Sequence, residues 1–198
     1  MAISAADVKA LRERTGAGMM DCKHALVEAG GDLDKAVTIL REKGIAAASK
    51  KSSREAKEGV IHTYIHPGSR IATMVELNCE TDFVARNDMF QSLARDIAMQ
   101  VAATKPQAVG REQMSQGLVD EESEIYRNQA KNEGKPDDII DRIIQGRIEK
   151  FYQENCLLEQ PFIRDTDKTV KDLITDAVGT LGENIQIRRF IRYELGGE

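Results

Sequence analysis

With 198 residues, 41% of them hydrophobic and 31% charged, the chain has the make-up of an ordinary globular protein of one compact body or two small ones, which excludes wholesale disorder. A net charge of −5 argues against a general nucleic-acid surface, because phosphate binding needs clustered Lys and Arg without compensating acids; a protein partner fits better. Cys22, Cys79 and Cys156 lie far apart with no C-x-x-C pair, and no apolar export segment or run of ~18 apolar residues is present, so reduced thiols, no metal knuckle, no membrane contact and a cytoplasmic location are expected.

Ser4 followed by Asp7 has the pattern of a capping box, and Val8 and Leu11 follow at helical spacing until TGAG, residues 15–18, interrupts. A second helix is predicted from Met19 or Met20, with Cys22, Ala25, Leu26 and Ala29 inward, and it stops at Gly30 and Gly31. Asp32 caps a third, in which Leu33, Ala36, Val37 and Leu40 form one stripe. Such a bundle is near the size at which a core alone can hold a fold, so it is expected to lean on another part of the protein. After Gly44, the stretch IAAASKKSSREAKEG is rich in Ala and Lys and poor in large apolar residues, which predicts a linker over residues 45–58 with a helix-forming composition.

From Gly59 the period changes to two. VIHTYIH, the turn signal PGS at Pro67–Ser69, and RIATMVELNCE predict a β-hairpin with Ile71, Thr73, Val75 and Leu77 on one face. Asn87 or Asp88 can cap the next helix, where Phe90, Leu93, Ala94, Ile97 and Val101 repeat at three and four residues until Lys105-Pro106 ends it. The charged segment from Val119 to Tyr152 predicts two helices around NEGKP, with Pro136 placed to open the second. Ile140, Ile143, Ile144, Ile148 and Phe151 give that second helix an apolar stripe, whereas Val119, Ile125, Tyr126 and Ala130 give the first a thin one, so a projecting antiparallel hairpin is expected over about 115–155. EQPFIRDTDKTVKDLITDAV returns the chain into a last helix. NIQIRRFIRYEL then alternates through Ile185, Ile187, Ile191, Tyr193 and Leu195, interrupted by Arg189, and supplies a third strand. The fold class is α+β: a three-helix bundle at 1–44, then at 59–198 a small antiparallel three-stranded sheet with helices and the hairpin arm.

Signatures of nucleotide binding, zinc hydrolysis and serine hydrolysis are missing: there is no G-x-x-x-x-G-K-[ST], G-x-G-x-x-G, H-E-x-x-H or G-x-S-x-G. The best remaining enzyme constellation is His62, His66 and Cys79. With a turn centred near Gly68, His62 faces Met74 and His66 faces Arg70, which leaves Cys79 several residues beyond either histidine. The carboxylates at Asp120–Glu122 and at Asp137 and Asp138 suit solvated helix ends. No enzyme, cofactor or metal site is expected. NCETDFVARND, residues 78–88, poses a sharper question: Phe83 is either a core anchor at a strand-to-helix corner or an exposed site flanked by Glu80, Asp82 and Asp88.

LRERTGAGMMDCKHAL, residues 11–26, and NCETDFVARND each resemble a hallmark segment of bacterial elongation factor Ts, the guanine nucleotide exchange factor of elongation factor Tu. Their order and spacing match, and the segment from Gly134 to Val170 is similar as well, so the resemblance covers nearly the whole chain. It implies a UBA-like (ubiquitin-associated-like) N-terminal bundle that docks on the GTPase through Arg12, Met19 and Met20. It also implies that Thr81, Asp82, Phe83 and Val84 insert into the GTPase domain and disturb its magnesium and phosphate-binding elements, so that GDP leaves. The chain has strands for only one hairpin plus one strand, and so resembles the family's short form, which can pair as a homodimer. The alternative is a UBA-like protein-binding scaffold without exchange activity; the TDFV segment and the helical hairpin, which a simple binding module would not require, distinguish the two.

Overall fold

Ser4 and Asp7 satisfy each other's free backbone groups, the Asp7 N–H donating to the Ser4 hydroxyl and the Ser4 N–H to the Asp7 carboxylate, both at 3.1 Å. On that cap stands α1 (Ala5–Thr15), closed by Gly16 in the left-handed region at φ 70°. The structure is a computed structural model that describes residues 3–197, with the backbone alone at 137 and 138, so the side chains of Asp137 and Asp138 lie outside the described residues. After α2 (Met19–Glu28), the Asp32 carboxylate accepts the N–H groups of Asp34 and Lys35 at 3.0 Å and starts α3 (Leu33–Lys51). Val8, Leu11, Cys22, Ala25, Leu26 and Ala36 form the bundle core, with Val37, Ile39 and Leu40 packed against it.

α3 continues through Gly44 into the linker segment and ends at Lys51. Ala46, Ala47 and Ala48 favour the helix, and Lys50 and Lys51 complement its negative end. A Cβ built on Gly44 would meet nothing within 4 Å, and one built on Gly179 would lie at an ordinary van der Waals distance of 3.7 Å from the Gly44 Cα.

β1 (Glu58–Ile65) and β2 (Ile71–Cys79) come next as a hairpin. The His66 N–H donates to the Ile71 carbonyl at 2.9 Å, so His66 faces Ile71 rather than Arg70. The turn-based expectation is one residue off because the loop holds four residues, 67–70, rather than three, with the Ser69 N–H on the His66 carbonyl at 2.9 Å and Gly68 and Ser69 both at positive φ, 91° and 55°. Beyond the hairpin lie α4 (Asp82–Ala85), α5 (Asp88–Thr104), α6 (Gln116–Asn132), α7 (Asp137–Asn155), β3 (Pro161–Phe162), β4 (Asp165–Thr169), α8 (Val170–Leu181) and β5 (Gln186–Glu194). α6 and α7 form a helical hairpin with its own small core of Ala130, Ile140 and Ile144, flanked by Tyr126 and Ile148. The two-stranded β3–β4 sheet was not expected from the sequence, because DTDKT lacks an apolar face and pairing rests on Pro161 opposite Thr169 and Phe162 opposite Asp165.

The strand order of the larger sheet is β1-β2-β5. Its third strand is antiparallel to the second, as the Leu195 N–H bond to the Arg70 carbonyl at 2.8 Å and the Arg189–Glu76 ion pair at 2.7 Å require. Thr73, buried, donates its hydroxyl to the Ala98 carbonyl of α5 at 2.9 Å, and Arg192 donates to Ala102 on the same helix at 3.2 Å. By alternation, the opposite face presents Ile61, Ile65, Met74, Ile191 and Tyr193, all exposed. The fold is thus α+β.

The chain divides into two compact units: one takes the chain up to Val60 with Leu77–Leu93 and Asp172–Gln186, the other Ile61–Glu76, Ala94–Lys171 and the chain from Ile187. Within the first, Arg41 of α3 pairs with Asp172 of α8 at 3.1 Å. Among the described residues no helix is long and apolar enough to cross a membrane.

Candidate functional site

β2 ends at Cys79, and the chain must then turn from strand into helix within a few residues. Thr81 makes the corner in an extended conformation and its hydroxyl accepts the Val84 N–H at 3.4 Å, which caps the single turn of α4. Consecutive side chains on a helix point about 100° apart, so this turn cannot bury all four of its residues. Val84 and Ala85 face inward and are buried. Asp82 and Phe83 face out, and Phe83 is 82% exposed. The Ala85 carbonyl accepts the Gln91 side-chain amide at 2.7 Å, and the Asn87 side chain accepts the Met89 N–H at 2.8 Å to start α5. Phe83 thus stands on a corner braced by these hydrogen bonds.

The polar residues around the corner are paired. Asp82 meets Arg86 at 2.8 Å as an exposed pair, the kind that contributes at most ~1 kcal/mol. The Glu183 carboxylate accepts the N–H groups of Glu80 and Thr81, each at 3.0 Å, and the Thr81 hydroxyl at 2.6 Å. Glu80 in turn accepts the Asn184 N–H at 2.7 Å and lies 3.5 Å from Arg54. Sequence reasoning missed this network. Its one visible sign is an acidic residue directly after a helix-ending glycine, and a separation of about a hundred residues hides the partner.

The other residues singled out in the sequence lie on the N-terminal helices. Arg12 is exposed on α1, and Met19 and Met20, 47% and 59% exposed, open α2 beyond the Gly16–Gly18 turn. They share a compact unit with Thr81–Val84. Exposed Met side chains offer adaptable apolar contact.

Burial, with the Glu183 carboxylate as a second cause, pushes the Cys79 thiol up to about 11, and its S–H donates to the Thr81 carbonyl at 3.1 Å, so it stays protonated and structural. Burial lowers the His62 pKa, Arg95 adding to the effect, while the Nδ1 of His66 meets the Tyr64 hydroxyl at 3.1 Å. Among the described residues there is no cluster of three or more His, Cys, Asp or Glu side chains able to hold a metal ion.

Residues 29–197 match the family model described as Elongation factor TS. Elongation factor Ts of Desulforamulus reducens is 60% identical over 194 residues, 98% of this chain and 89% of that protein. The protein of the same name from Moorella thermoacetica is 59% identical over 194 residues, 98% and 96% of the two chains, and that from Carboxydothermus hydrogenoformans is 61% identical over 189 residues, 96% and 87%. With a family model matched over most of its length and such relatives covered almost end to end, the chain belongs to the elongation factor Ts family and is a translation elongation factor.

Proposed function

We propose that the chain is a guanine nucleotide exchange factor that binds GDP-loaded elongation factor Tu and promotes GDP release by disturbing the bound magnesium and phosphate. The observation that carries this reading is Phe83, an aromatic held in water on a corner that the Glu183 carboxylate grips at Glu80 and Thr81. In this reading Phe83 is the wedge, Asp82 its polar companion, and Thr81 and Val84 fix the turn from its two ends.

Magnitudes require more than the wedge. A GTPase that holds GDP at nanomolar affinity has ~12 kcal/mol of binding to weaken. Burying one Phe contributes only ~1.5 to 3 kcal/mol. The remainder is assigned to a docking surface that presses Phe83 home, centred on Arg12, Met19 and Met20. Release of fluorescent GDP from elongation factor Tu, chased with unlabelled GDP, tests the proposal. Substoichiometric wild-type chain should accelerate release, and Phe83→Ala should lose roughly tenfold or more of the acceleration, equivalent to ~1.4 kcal/mol. Tight binding without acceleration would leave a scaffold, not an exchange factor.

We also propose a homodimer. The open sheet face exposes Ile61, Ile65, Met74, Ile191 and Tyr193, and exposed apolar side chains gathered on one face mark an interface. A second copy of the same face is its natural cover, the two sheets then forming a sandwich. Sedimentation equilibrium should find a wild-type dimer that Tyr193→Glu converts to monomer with an unchanged circular dichroism spectrum. A variant still dimeric would place the contact elsewhere.

A further inference from the structure

Four residues make one helical turn, and isolated helices shorter than ~12 residues are marginal in water. α4 therefore needs support from outside itself. Part of that support arrives from the far end of α8, where Gly182 closes the helix at φ 80° with its N–H on the Val178 carbonyl at 3.1 Å. The next residue, Glu183, places one carboxylate oxygen on both the Glu80 and the Thr81 N–H and the other on the Thr81 hydroxyl. Hydrogen bonds to a carboxylate are shorter and stronger than neutral ones. Because that same hydroxyl accepts the Val84 N–H, the carboxylate also selects the rotamer that caps α4.

The grip is reciprocal. Glu80 accepts the Asn184 N–H, and Asn184, itself buried, gives its side-chain amide to the Arg54 carbonyl at 2.7 Å and to Ser52 at 3.4 Å. Residues 183–184 thus tie the Phe83 corner to the segment that leaves α3.

We infer that Glu183 is a positioning residue for nucleotide exchange: its carboxylate pre-forms the 80–84 corner so that Phe83 meets the GTPase already in its inserting conformation. This rests on the reading of Phe83 as the wedge. A corner that had to order on arrival would act only in the fraction of molecules where it was formed, and exchange would fall by that fraction. Docking through α1 and α2 would be untouched, so the loss belongs to the maximal rate and not to the concentration needed for half-saturation.

The test uses the full chain carrying Glu183→Ala or Glu183→Gln, with stimulated GDP release measured against factor concentration and amide hydrogen exchange followed by NMR. Glu183→Ala should lower the maximal release rate roughly tenfold, shift half-saturation less than about threefold, and speed exchange at the Glu80, Thr81 and Val84 amides while leaving Leu26 unchanged. Gln keeps an acceptor for the two N–H groups and can donate to the Thr81 hydroxyl, so Glu183→Gln should recover release to within about threefold of wild type and retain protection. In a Phe83→Ala background, Glu183→Ala should add no further loss. Should Glu183→Ala fail to fold, Glu183→Asp, one methylene short of the corner, takes its place with the same expectations. Wild-type release from the truncated variant, equal losses in both backgrounds, or a Gln variant as impaired as the Ala variant would each overturn the positioning role and leave the wedge standing. Undiminished release by Phe83→Ala alone would overturn the wedge and the inference with it.

Discussion

Phe83 keeps an aromatic surface in water whose burial would contribute ~1.5 to 3 kcal/mol, so its removal should cost the fold little. We predict that Phe83→Ala changes stability by no more than ~0.5 kcal/mol, whereas Leu26→Ala, at a position with no solvent exposure in the bundle core, costs ~2 to 5 kcal/mol. Thermal melts of the two variants check this; a marked loss with Phe83→Ala would make Phe83 a structural residue. From residues alone, the strand-to-helix corner wants an apolar anchor and Phe83 is the larger candidate. Val84 fills that role, and only the orientation of a single helical turn decides between neighbours, which no periodicity reaches. The buried thiols give a second prediction. Burial raises both Cys79 and Cys156 from an ordinary 9.0 to about 11, so the native state holds these protons more tightly than the unfolded chain does. The stability this supplies is complete below pH 9 and is lost as pH rises from 9.0 to about 11. Denaturant melts across that range should show the decline, and iodoacetamide at neutral pH should leave both thiols of the native chain unmodified.

Elements were legible wherever a local signal fixed an end. Ser4, Asp32 and Asn87 cap their helices through their own side chains, and Pro136 and Lys105 mark boundaries where the sequence places them. Less legible were the continuation of α3 beyond Gly44, where an alanine run outweighs a cost of ~1 kcal/mol for one glycine, and the β3–β4 pair, which has no apolar alternation. Gly59 shows how an element can depend on a residue for reasons that no pattern reveals. It lies at φ 145°, and a Cβ there would sit 2.1 Å from the Leu77 carbonyl oxygen. Gly59→Ala should therefore destabilise the protein by at least ~1 to 3 kcal/mol, since both the backbone and the β1–β2 pairing must shift. Urea unfolding measures it, and an unchanged midpoint would mean that β1 can move away freely.

At the scale of the molecule, composition separates the helices of residues 1–44 from the strands and helices after Gly59, while space groups the chain up to Val60 with Leu77–Leu93 and Asp172–Gln186. These segments are joined by a set of individually ordinary side chains, Arg41 with Asp172 and Asn184 with Ser52 and Arg54, each far from its partner in sequence and therefore invisible to any window. That grouping places the exposed Met19 and Met20 in the same body as the Phe83 corner, which is what a docking surface that drives a wedge requires. If the wedge displaces the elements that hold metal and phosphate, then the chain and Mg²⁺ must oppose each other on the GTPase, and linkage makes that opposition reciprocal. The most direct measurement is calorimetric titration of GDP-loaded elongation factor Tu with the chain over a series of Mg²⁺ concentrations, with the nucleotide-free GTPase as reference. Affinity for the GDP-loaded form should fall as Mg²⁺ rises and recover in EDTA, while the reference stays nearly constant; an affinity for the GDP-loaded form indifferent to Mg²⁺ would contradict the wedge, however tightly the two proteins bind.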